Sequence, residues 1–146
     1  MSNWLYKDEP LDEEILSGFV GIVYCIENIQ TNKRYIGKKI LKFTNRKKIK
    51  GRVRSKRVVK DSDWRTYYGS SKTLLADVKD LGKENFKREI LYFCKSKSEM
   101  SYFEAYEQFK RNAIISDEYY NDHIMVHTRR SRVLSESENF NLTFDA

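Results

Sequence analysis

Phe19-Val20-Gly21-Ile22-Val23-Tyr24-Cys25-Ile26-Glu27-Asn28 is a run of β-branched and aromatic residues, and Arg34-Tyr35-Ile36-Gly37 resumes the pattern after the polar Gln30-Thr31-Asn32-Lys33. Two strand-like runs joined by a short polar segment with a turn-prone Asn predict a β-hairpin. Its arms carry Tyr24 and Tyr35, eleven residues apart. Cross-strand geometry brings same-face side chains of such a hairpin together.

Toward the C-terminus, Gly69-Ser70-Ser71 offers N-caps and Leu74, Leu75, Val78 and Leu81 recur at helical spacing before Gly82. This predicts a helix over 71–81. Phe86–Phe93 reads as a third, central strand. Ser96-Lys97-Ser98-Glu99 has capping-box spacing and opens a longer helix, about 98–113. Residues 119–126 read as a short strand or irregular return. With the basic stretch after the hairpin taken as a helix, the order predicts a small α+β domain, a central antiparallel β-sheet of about three strands flanked by helices. The domain is expected over 19–127, with 1–18 as an acidic N-terminal appendage and 128–146 as a C-terminal tail.

The 146 residues hold 28 Lys+Arg against 21 Asp+Glu, but the net charge of +7 is unevenly spread. Residues 1–18 carry net −4, residues 19–60 net +13 and residues 61–146 net −2. Between Lys38 and Lys60 there are twelve Lys/Arg in 23 residues and no acid, interleaved with Ile40, Leu41, Phe43, Ile49, Val53, Val58 and Val59. The bland reading is a solvated charge run. The interleaved apolar residues favour an ordered element, and an ordered basic strip is the footprint of a polyanion binder. The candidate contacts are Lys39, Lys47, Lys48, Lys50, Arg52, Arg54, Lys56 and Arg57, with Trp64, Tyr67 and Tyr68 able to stack on bases.

Hydrophobics at 40%, aromatics at 14% and six Gly describe a folded protein rather than a disordered tail. No apolar run has membrane length, and the N-terminus turns acidic instead of basic and apolar, so neither a membrane partner nor a secretory signal is expected and a cytoplasmic location is. Cys25 and Cys94 lack C-x-x-C or His partners at ligand spacing; reduced, packed thiols are expected, with no zinc and no disulfide.

Ile22-Val23-Tyr24, the hairpin turn and Tyr35-Ile36-Gly37-Lys38 together resemble the signature of the GIY-YIG nuclease superfamily, including the separation of the tyrosines. Arg46 follows near the place of the family's first-helix Arg, Glu104 lies where the family keeps a metal-binding Glu, and Asn121 looks like its closing Asn. The resemblance covers about residues 19–124 and rests on the ordered series. Ile22 stands where the first triplet has Gly, Lys50 stands where the family often has Tyr or His, a role open to Tyr67 or Tyr68, and about twenty residues are inserted within 47–64.

What the resemblance implies is a GIY-YIG-like fold and a divalent-metal-dependent endonuclease hydrolysing double-stranded DNA, with Mg2+ or Mn2+ as cofactor. Compact enzymes of this kind often belong to phages or mobile elements. Tyr24 and Tyr35 would flank the attacking water, Lys38 and Arg46 would pair with phosphate and depress the phenols, Glu104 would ligate the metal, and Gly37 and Asn121 would be structural. The types make chemical sense: a phenol with a free pKa of ~10 needs cationic neighbours to act as a base, and Mg2+ accepts one carboxylate with waters and phosphate. Which Tyr is the base, Glu104 or Glu107 as ligand, and the oligomeric state stay open. His123 and His127, four apart, read as surface or return-strand residues, and Asp61-Ser62-Asp63 as the end of the strip. The other class of function is a non-catalytic nucleic-acid-binding module using residues 38–60.

Overall fold

The computed structural model describes residues 3–47, 50–51 and 56–130. In chain order the strands are β1 (Trp4–Tyr6), β2 (Glu9–Pro10), β3 (Gly21–Asn28), β4 (Arg34–Ile40), β5 (Lys42–Lys47), β6 (Lys56–Asp61) and β7 (Phe86–Cys94). The helices are α1 (Lys72–Leu81), between β6 and β7, and α2 (Lys97–Lys110). The fold is α+β. A five-stranded sheet in the order β2-β1-β7-β3-β4 lies between the two helices, and β5 and β6 form a separate two-stranded ribbon.

The expected hairpin is β3–β4, with Ile22 opposite Lys39, Tyr24 opposite Gly37 and Ile26 opposite Tyr35. Asn28 closes its turn as an Asx turn, the side-chain oxygen accepting from Gln30 N at 3.0 Å. Helix α1 is capped by Ser71, whose hydroxyl accepts from Leu74 N, and it ends at Gly82 with φ +92°. Helix α2 is capped by Ser96, whose Oγ accepts from Glu99 N at 3.1 Å. Glu99 then reaches one residue further back than a capping box requires, accepting from Lys95 N at 2.9 Å.

Strand β7 is central, as its apolar sequence suggested, and a register shift against β3 between Val23 and Tyr24 places Tyr92 opposite Val23 but Ile90 opposite Tyr24. One extra β7 residue at that point reverses which side chains face which layer. Ile90 and Phe93 pack with Trp4, Tyr24, Leu74 and Val78 on the α1 side, while Tyr92 and Cys94 pack with Val23, Ile36, Met100 and Phe103 on the α2 side.

Two expectations are corrected. The described part of 1–18 is not an appendage: β1 joins the sheet parallel to β7, Trp4 is about 1% exposed, and its indole Nε1 donates to Trp64 O at 2.9 Å. The sheet therefore has five strands and mixed direction rather than about three antiparallel strands. The described residues of the basic stretch after β4 also form no helix. Phe43-Thr44 and Val58-Val59 are β-forming pairs on either side of Gly51, whose φ of +84° suits a turn, and β5 pairs with β6 from Lys42↔Asp61 to Lys47↔Lys56.

Candidate active site

Strand β4 is an edge of the sheet, and side chains from both its faces meet around a cleft of about 630 Å³. Opposed residues of an antiparallel pair share a face, so Tyr24 lies over Gly37 and diagonal to Tyr35. The two rings are 6.2 Å apart between centroids. A Cβ at residue 37 would come within 2.6 Å of Tyr24 Cζ and 2.9 Å of Tyr35 Cε2, so only glycine lets this tyrosine pair close over the strand. Tyr67 packs edge-on against Tyr24 at 6.1 Å, held there by the buried Arg88, whose guanidinium donates to Arg65 O and Tyr67 O.

The tyrosines differ in access. Tyr24 is fully buried, and burial pushes its phenol well above 10. Tyr35 lines the cleft and exchanges a hydrogen bond of 3.1 Å with Ser70 Oγ. Its pKa is also raised, by burial first, with the Ser70 hydrogen bond opposing and the Tyr67 and Glu104 charges adding. The expected depression by Lys38 is therefore absent. Lys38 is one residue from Gly37 and so projects to the other face, toward α2.

There the Lys38 ammonium donates to Ser101 Oγ at 2.8 Å and stands 3.8 Å from Glu104 Oε1. Glu104 has a raised pKa: desolvation dominates, and Lys38, through its charge and its backbone N–H, pulls the other way. Its carboxylate opens into the cleft. Glu107, one turn on, does not: Oε1 accepts from the Tyr92 hydroxyl at 2.7 Å and Oε2 from Arg111 Nε at 2.8 Å, beneath the helix. Asn121 spans the edge of β4, Oδ1 accepting from Ile36 N and Nδ2 donating to Ile36 O.

Other expected residues fall elsewhere. The backbone of Arg46 lies on β5 opposite Arg57, not on a helix beside the cleft, and that of Lys47 opposite Lys56. Lys50 is exposed, while Lys48, Arg52 and Arg54 lie outside the described residues. Lys39 ion-pairs with Asp63 at 2.7 Å and lies over the Tyr67 ring. Trp64 and Tyr68 are core residues, which removes them as stacking platforms; Tyr67 is half-buried.

The cleft also collects residues that the sequence reading passed over. Ser70, Ser71, Lys72 and Thr73 bring the N-terminal turn of α1 to its rim, and Asp122 and His123 line the wall that follows Asn121. The Gly-Ser-Ser-Lys-Thr run, polar and at a helix start beside a glycine with φ +92°, was the available signal. Gln108 donates to Ile36 O, and its Oε1 is buried without a partner among the described residues.

A hydroxyl, an ammonium and a buried carboxylate around one open cleft suit chemistry on a phosphoryl group. Searches of curated proteins and of solved structures each return no match. A family model described as "Putative endonuclease segE, GIY-YIG domain" does match, over residues 4–124, so β1 as well as the tyrosine hairpin lies inside it, and the chain belongs to the GIY-YIG endonuclease family.

Proposed function

We propose that the protein is a divalent-cation-dependent endonuclease that hydrolyses phosphodiester bonds of double-stranded DNA at the β4 cleft. The observation that carries this reading is the convergence of Tyr35, Lys38 and Glu104 on one cleft at the sheet edge.

The donor set fits a hard divalent cation. Glu104 is a mostly buried carboxylate whose nearest ammonium, Lys38, is 3.8 Å away, leaving its negative charge undercompensated, and Mg2+ or Mn2+ needs few protein oxygens when waters and phosphate complete its shell. Glu104 would hold such a cation, which when bound would supply positive charge for the developing negative charge of the reaction. Lys38, fixed by Ser101, stabilises a non-bridging phosphoryl oxygen. Tyr35 orients the attacking water through its hydroxyl and, as the phenolate left once its own proton has passed to solvent, accepts the proton the water gives up, while Tyr24 holds Tyr35 in place. Arg46 belongs to substrate docking on the ribbon.

The test is relaxation of supercoiled plasmid with Mg2+. Nicking that EDTA abolishes and Glu104→Gln eliminates supports the proposal. Binding without nicking by the folded wild-type protein would leave the non-catalytic module instead.

A further inference from the structure

The ribbon is joined firmly to the sheet but, among the described residues, its strands pair with no others. Strand β5 runs on from the edge strand β4. At the root, Leu41 N donates to Val20 O at 2.8 Å, Ser62 N to Leu41 O at 2.9 Å and Ser62 Oγ to Ile40 O at 2.6 Å. Beyond the root, Phe43, Val58 and Val59 are exposed apolar residues, on an element that would be marginal alone in water.

Its register is electrostatically unfavourable in isolation. Arg46 is opposed to Arg57 and Lys47 to Lys56, and like charges in opposed positions destabilise a strand pair. A polyanion reverses that sign. A groove of about 500 Å³, lined by Lys38, Phe43, Lys97, Met100 and His127 among others, joins the cleft to the ribbon root through Lys38. Basic and apolar surface is thus continuous from the hydrolytic cleft to the ribbon.

We infer that the β5–β6 ribbon inserts into the major groove of duplex DNA beside the phosphate being cut. Six residues per strand span roughly 20 Å at about 3.4 Å each. The major groove, ~12 Å wide, admits a two-stranded ribbon without deforming the duplex, whereas the minor groove, ~6 Å wide, must be widened at a deformation cost to take one. The opposed arginines and lysines then meet the phosphates of the groove walls, and Thr44 and Val59, exposed and paired in register, stand along the part nearer the root. The inference rests on the reading of the β4 cleft as a DNA-cutting site and adds the structural form of the substrate and the groove that is read.

The test measures affinity for a fluorescent 30-base-pair duplex in EDTA, with methyl green as a major-groove competitor and netropsin as a minor-groove competitor. Methyl green should displace the protein and netropsin should not. Thr44→Glu with Val59→Glu should weaken binding by about ten-fold, and Thr44→Lys with Val59→Lys should tighten it, with thermal melts showing that both variants fold. Displacement by netropsin alone, equal affinity for a single strand of the same length, or unchanged affinity in both pairs of variants would overturn the inference. Plasmid nicking by the wild-type protein is scored separately, so a failure of the nuclease reading is distinguishable from a failure of groove insertion.

Discussion

Asn121 closes both backbone groups of Ile36, its Oδ1 accepting from Ile36 N at 3.0 Å and its Nδ2 donating to Ile36 O at 2.8 Å. An edge strand leaves alternate N–H and C=O groups unpaired, and here one side chain, 85 residues away in sequence, stands in for a neighbouring strand. The segment before it continues the pairing: Arg34 N donates to Glu118 O and Tyr120 N to Arg34 O. Asn121→Ala should cost about 1–3 kcal/mol, chiefly because Ile36 N is left unpaired while Ile36 O keeps the Gln108 amide. Asn121→Asp keeps the acceptor and loses the donor, so its urea midpoint should also fall. An Ala variant with unchanged midpoint and m-value would show that β4 does not depend on this clamp.

Trp4 reaches the core from a stretch of sequence dominated by acids. It packs edge-on against Tyr24, with the Arg88 guanidinium 4.5 Å from its ring centre. Trp4→Ala should destabilise the protein by about 3–5 kcal/mol, the usual cost of emptying a buried aromatic site. Removing residues 1–10 should cost at least as much. Chemical denaturation checks both, and wild-type stability in the truncated chain would refute the place of β1 in the sheet.

Glu104 and Glu107 separate in kind rather than degree. Glu104→Gln should abolish nicking while leaving stability near wild-type and DNA affinity intact or higher, since it removes one cleft charge that repels phosphate. Glu107→Gln should weaken the Tyr92 and Arg111 contacts of a buried carboxylate and cost about 2–4 kcal/mol, with nicking retained by whatever fraction stays folded. Parallel urea curves and plasmid assays decide it. The reverse pattern would move the cation site one turn along α2.

How legible these features were depends on how local their causes are. The hairpin, α1 and the start of α2 follow from periodicity, caps and an Asx turn, all within a few residues. The tyrosine pair was legible for the same reason. Glu104 and Glu107 share a helix face by spacing, and only Tyr92 on β7 and Arg111 after α2 decide which carboxylate is tied down. Trp4 pairs with Arg88, far along the chain, in a parallel register that no short-range pattern encodes. The lowered phenols were expected from sequence proximity of Lys38, but alternation along β4 sends neighbouring residues to opposite faces. In the basic stretch the charges hid two β-forming pairs, Phe43-Thr44 and Val58-Val59, flanking a glycine, which were the strand signal.

Cys25 offers a check on the sheet face beyond α2. Burial pushes its thiol up to about 11, although Arg111 and Arg34 pull it down. At pH 8 only about one thiolate in a thousand then exists in the folded protein, so a disulfide reagent such as Ellman's should react slowly. The rate should rise about ten-fold per pH unit between 8 and 10, because the thiolate fraction grows toward the elevated pKa. Cys94, buried and also raised, should react later still, and both should react at once in urea. Fast, pH-independent labelling of the native protein would contradict this burial.

The last prediction contrasts two basic residues that sequence reading put in one catalytic group. Lys38 is anchored by Ser101 beside Glu104, whereas Arg46 belongs by register to the ribbon, opposite Arg57. A charge acting on the transition state lowers the rate at saturating DNA when removed, and a charge acting on docking lowers affinity. Lys38→Ala should therefore reduce the saturated single-turnover rate by ~10²-fold or more, the scale of a lost electrostatic donor. Arg46→Ala should weaken binding and flatten the log-log salt dependence by about one phosphate contact, with a much smaller loss of saturated rate. If Arg46→Ala instead matches Lys38→Ala in saturated rate and keeps the wild-type salt slope, then the ribbon delivers Arg46 to the scissile phosphate, and the division between a cutting cleft and a docking ribbon fails.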